Sequence, residues 1–150
     1  MKDTATLLFD WRQTRLDLKE EFSENNLQKV MDFWKSLDYS RHGFDYDRVT
    51  MWPDAWEYIT EQFYTNSGNG LGCFYTVHHA HPKLEPEVWL VHDLAHGDMY
   101  LVCYVDGYIL NRITGELDKF ELVQNDLDIL NKYTASTIIN AVKDRNSNGR

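Results

Sequence analysis

The dipeptide Asp106-Gly107 constrains this chain more than any other pair of residues, because it separates two apolar runs, Leu101-Val-Cys-Tyr-Val105 and Tyr108-Ile-Leu-Asn-Arg-Ile113. A two-residue hairpin turn of the primed type needs positive φ at both central positions, which Asp-Gly adopts readily. The spacing therefore predicts antiparallel strands over 99–105 and 108–113. Thr114-Gly115 makes a second turn into a third strand over 117–123, and Val88-Trp-Leu-Val91 supplies an earlier one after the Pro82 to Pro86 loop. The second half of the chain reads as an antiparallel meander over 88–123.

The first half has a different period. Ser23 is a favoured N-cap, and Leu27, Val30, Met31, Trp34 and Leu37 recur at the spacing of one helical face. Leu7, Leu8, Trp11, Arg15 and Leu18 recur less regularly and predict a shorter or broken helix over 5–22. Residues 39–51 read as an ordered loop held by aromatic side chains. A helix over 53–63 follows, with Pro53 tolerated in its first turn and Trp52, Trp56, Ile59 and Phe63 on one face. Three glycines between Gly68 and Gly72 predict a sharp, flexible bend. Residues 73–80 fit either period and are taken as a short helix, and helices over 126–133 and 136–142 close the chain. The expected fold class is α+β, with N-terminal helices packed on a C-terminal antiparallel β meander and a closing helix. It forms a single domain over 1–142 with a disordered polar tail over 143–150.

With 43% hydrophobic residues, five Trp, nine Tyr and seven Phe in 150, the chain has enough apolar material for one core. Its net charge of −9, from 24 acidic and 15 basic residues, opposes nucleic-acid affinity, which needs clustered Lys and Arg. The acidic residues are scattered, which favours solvated faces over DNA mimicry. Cys73 and Cys103 lie too far apart for a metal knuckle and are expected to be buried free thiols of a reducing compartment. No stretch approaches the ~20 apolar residues of a membrane span, so a cytoplasmic location is expected.

Five of the six histidines fall between His78 and His96. Within that stretch, Val91-His92-Asp93-Leu94-Ala95-His96-Gly97-Asp98 resembles the His-Asp signature of HD-type metal-dependent phosphohydrolases. The resemblance implies a divalent metal at His92, Asp93 and His96 that activates water, with His78 or His79 as an earlier ligand. A second resemblance, to papain and transglutaminase-like hydrolases, rests on the order Cys73, His96, Asn111. It implies a thiolate at the head of a helix, an imidazole base and an amide that orients it. On the transglutaminase-like pattern the base position falls nearer Asp98 and the nucleophile position nearer Thr65, which would keep the scaffold and lack the triad. Taken as residues alone, 93–98 is a polar loop between strands and Cys73 a small buried hydrophobe.

Gly68 to Gly72 lacks the Lys-Ser/Thr pair of a phosphate loop. Trp52, Trp56, Tyr58, Phe63 and Tyr64 make either an aromatic ligand platform or core. Finally, Asp45-Tyr-Asp-Arg-Val-Thr-Met-Trp-Pro-Asp-Ala-Trp-Glu-Tyr-Ile59 and Tyr104-Val-Asp-Gly-Tyr-Ile-Leu-Asn111 resemble small proteins of large contractile-tailed phages. The resulting expectation is a phage-encoded, non-catalytic protein without a cofactor, acting through a phage or host protein partner in virion assembly or as an accessory factor. Self-association stays open, and the expected location is the infected cytoplasm or the virion. A hydrolase of either kind above is the alternative.

Overall fold

Asp3 opens the first helix by accepting a hydrogen bond from the Thr6 amide at 2.7 Å. In this computed structural model, which describes residues 3–37, 44–61 and 65–149, the last five by backbone alone, that helix is α1 (Thr4–Glu20). It is unbroken, and its apolar positions Leu7, Trp11 and Leu18 are buried. Ser23 caps α2 (Glu24–Lys35) through the Asn26 amide. A capping box between Asp54 and Glu57 starts α3 (Ala55–Thr60). Trp52 and Ile59 are buried whereas Trp56 is half-exposed, so these residues do not share one inward face. Phe63, Tyr64 and part of the 39–51 loop lie outside the described residues.

The Gly68–Gly72 stretch is not the bend its composition suggests, because α4 (Asn69–Ala80) begins inside it. The glycines allow close approach. A Cβ on Gly70 would collide with the Leu101 carbonyl oxygen, and one on Gly72 would stand 2.7 Å from the Trp34 ring. α4 thus lies against both α2 and the sheet. Thr76 fixes the arrangement: its hydroxyl accepts from the indole N–H of Trp11 at 2.9 Å and of Trp34 at 3.1 Å, and donates to the Gly72 carbonyl. One buried hydroxyl therefore satisfies two buried donors from two helices.

The sheet consists of β1 (Glu87–Asp93), β2 (Met99–Val105), β3 (Tyr108–Leu110), β4 (Asp118–Lys119) and, after the short helix α5 (Phe120–Val123), β5 (Leu127–Tyr133). Its order is β4-β3-β2-β1-β5, antiparallel throughout. Asp106 and Gly107 have φ of 48° and 85°, as the hairpin requires. The closing helix α6 (Ala135–Gly149) extends past Val142 into the stretch expected as a frayed tail. The α+β architecture is the one the two periods indicate. Among the described residues no helix is long and apolar enough to cross a membrane.

Three expectations for the C-terminal half change. The strand expected over 108–113 ends at Leu110, because Asn111 takes a left-handed φ of 79°. The run after Thr114-Gly115 pairs only at Asp118–Lys119, then turns into α5, so that Phe120 and Val123 cover the outer face of the sheet. Residues 127–133 form a strand instead of a helix, because the free edge of β1 offers them a ladder. A register shift opposite Leu90/Val91 skips Leu130. That shift flips the face: Leu127 and Ile129 pack in the outer cluster and Tyr133 in the main core.

Candidate functional site

Alternation along β1 decides the metal reading. His92 and Asp93 are neighbours on one strand, so their side chains leave opposite faces of the sheet and cannot bind one ion together. Among the described residues no group of three His, Cys, Asp or Glu side chains converges.

Asp93, 0% exposed, instead anchors a polar network. Its Oδ1 accepts from the amides of Ala95 at 3.1 Å and His96 at 3.3 Å, and His96 Nδ1 lies 3.2 Å away. Its Oδ2 accepts from the Tyr100 hydroxyl at 2.7 Å and from Arg112 Nη2 at 3.4 Å. Burial alone would raise the Asp93 pKa, but the Tyr100 and His96 hydrogen bonds and the Arg112 charge outweigh it and hold the carboxyl below its usual range. The Tyr100 hydroxyl, buried and donating to that carboxylate, is pushed up to about 12. Arg112 also reaches Asp118 at 3.4 Å. The carboxyl of Asp118 is raised by burial despite that cation.

The thiol constellation does not assemble either. Cys73 is in the main core, out of reach of solvent, and burial pushes its thiol far above the usual range, which disfavours the thiolate a nucleophile needs. His96 is partly exposed in the β1–β2 turn and engaged with Asp93. The Asn111 amide nitrogen donates to the carbonyls of Asn66 at 3.0 Å and Leu101 at 2.9 Å, which ties the segment before α4 to β2. Cys103 is likewise a buried free thiol.

Asp98 lines a cleft of about 310 Å³ where the start of α4 meets β2 and β3, together with Lys35, Ser67, Asn111 and Arg112. The Thr65 hydroxyl accepts from the Gly68 amide and is within 3.3 Å of the Tyr46 hydroxyl. The lining holds both signs of charge, with Lys35 and Arg112 beside Asp98, and Arg112 is committed to two carboxylates. Trp52 and Tyr58 of the aromatic platform are core.

A group the motif reading passed over lies on α1. At about 100° per residue, Arg12, Arg15 and Lys19 fall on one side of the helix and Asp10 and Asp17 on the opposite side. Among the described residues none of these three cations has an acidic partner. The Arg15 guanidinium stands 4.1 Å over the Trp11 ring and 5.9 Å from Trp56, and its buried Nε has no hydrogen-bond acceptor. Beside the cations, Phe9 (64% exposed), Leu16 (45%) and Trp56 (51%) present apolar surface. The signal was available in the i, i+3, i+7 spacing of Arg12, Arg15 and Lys19, which carries no named motif.

Comparison with protein-family models, with curated proteins and with solved structures finds no match to this chain.

Proposed function

We propose that this chain is a phage-encoded, non-catalytic protein that acts through a protein interface, either in particle assembly or as an accessory factor in the infected cell. The observation that carries the reading is the outward side of α1 with Trp56. Exposed Phe9, Leu16 and Trp56 lie there beside the cations Arg12, Arg15 and Lys19, on a chain of net charge −9. Trp, Phe and Arg are the residues that dominate interface energetics. Cations with no acidic partner among the described residues fit a partner with an acidic surface, because opposite potentials steer encounter and fix register. The sequestered Cys73 thiol and the opposed His92 and Asp93 side chains favour binding over catalysis.

The test is a pair of affinity captures from infected cells, with the chain and its Phe9→Ser/Trp56→Ser variant, each first shown to be folded by circular dichroism. A partner retained by the first, lost by the second and rebound when purified supports the interface. A chain that stays monomeric and retains nothing its variant loses overturns it.

A further inference from the structure

The cations of α1 also wall a small cleft. Arg12, Arg15, Leu16 and Lys19 face His79 and Ala80 at the end of α4 across a space of about 150 Å³. Among the described residues no acidic side chain lines it. Three like charges with no counterion among the described residues repel one another, and burial together with the charge of Arg12 lowers the Arg15 pKa. The end of the α4 dipole contributes only about half a negative charge against these three cations. Arg15 is held in place by Trp11 while its hydrogen-bonding capacity goes unused by any acceptor among the described residues. His79 packs edge-on to Trp11 at 5.6 Å, and burial, with Arg15 and His78 nearby, lowers its pKa and favours the neutral ring. A neutral imidazole still offers one N–H to an anion.

We propose that this cleft binds a compact dianion of the phosphate class, gripped by Arg12, Arg15 and Lys19 with His79 on the opposite wall. The volume is below the roughly 300–1,000 Å³ of typical small-molecule pockets, which selects a single tetrahedral group over a nucleotide. Arginine forks and lysine ammonium groups are the usual partners of phosphate oxygens. The group comes either from free phosphate or from a phosphorylated side chain of the interface partner; only the second source rests on the interface reading.

Calorimetric titration of the full chain at low salt separates these sources, using inorganic phosphate, a phosphoserine peptide and the same peptide unphosphorylated. The expected result is saturable one-to-one binding of at least one phosphate-bearing probe, weakened about tenfold or more in Arg12→Gln/Lys19→Gln as charge-assisted contacts are lost. The His79 ring signals should shift on saturation, with the His79 pKa rising. A phosphopeptide that binds well above inorganic phosphate assigns the group to a partner, and equal binding assigns it to free phosphate. Failure of both phosphate probes to saturate, or wild-type affinity in the double variant, overturns the site. Arg12 and Lys19 are exposed, so the variant keeps the fold. Phosphate binding without any captured partner would retain the site and discard the interface, so the two readings fail separately.

Discussion

The molecule contains two arginine-centred clusters with opposite electrostatic outcomes. Around Asp93 every charge has a partner: Arg112 is shared between Asp93 and Asp118, and Asp93 accepts further hydrogen bonds from Tyr100 and the His96 turn. Around Arg15 none of the three cations has an acidic partner among the described residues, and Arg15 itself rests on the Trp11 and Trp56 rings. The first cluster is closed in charge, because five donors meet one buried carboxylate and the Arg112 guanidinium bridges two acids, although its Nε, like that of Arg15, is buried with no hydrogen-bond partner among the described residues. The second is open, because an anion from outside would remove a repulsion that the fold leaves in place. The string most like a catalytic motif therefore belongs to the structural cluster, and the cluster with no motif is the one equipped to bind.

The largest effect that tests this contrast is removal of the buried carboxylate. Asp93→Ala leaves Arg112 buried with only Asp118 beside it and the Tyr100 hydroxyl without its acceptor. Breaking such a pair costs about 3–5 kcal/mol. Urea denaturation should show that loss, and a change below about 1 kcal/mol, the range of surface pairs, would break the claim that the cluster is structural. The same pair of carboxylates has a pH signature. The Asp93 pKa is lower folded than unfolded, so its contribution is present above the ordinary carboxylate pKa of about 3.9 and lost as pH falls through the folded value. Asp118 has the opposite sign, since its raised pKa makes the folded state bind a proton more readily and relieves its burial on acidification. Asp93→Asn should therefore flatten the acid limb of the stability profile, whereas Asp118→Asn should steepen it.

Much of the fold was legible because local chemistry and tertiary demand agree there. Asp106-Gly107, Ser23 and the Leu27 to Trp34 stripe each admit one reading, and the structure adopts it. The failures occur where a distant element decides. Nothing local to 127–133 announces the free edge of β1, and nothing local to Gly70 announces the Leu101 carbonyl against which it packs. Of the site, the identity of Asp93 as a special residue was legible, but its role was not. A His-Asp string looks the same on a helix, where both side chains can converge, and on a strand, where they diverge. The cationic stripe was legible only as a spacing whose meaning depends on the absence of acids across the cleft, a tertiary fact.

The smallest effects belong to the open cluster, and their smallness is the test. Arg15→Met keeps much of the stem packing but removes the cation from the Trp11 face, a contact worth about 0.5–1 kcal/mol at a partly exposed site. Relief of the repulsion from Arg12 acts in the other direction, so the net change in urea midpoint should stay within about 1 kcal/mol of zero. Arg12→Gln/Lys19→Gln removes two exposed charges with no acidic partner among the described residues and should shift stability by no more than about 0.5 kcal/mol, on the stabilising side if the repulsion is felt. Added salt gives an independent reading, because ions at 0.15 M screen charges beyond about 8 Å and should narrow the gap between the double variant and the wild type. A double variant destabilised by several kcal/mol would show that these cations hold the fold together as Asp93 does, and the distinction between a closed and an open cluster would collapse.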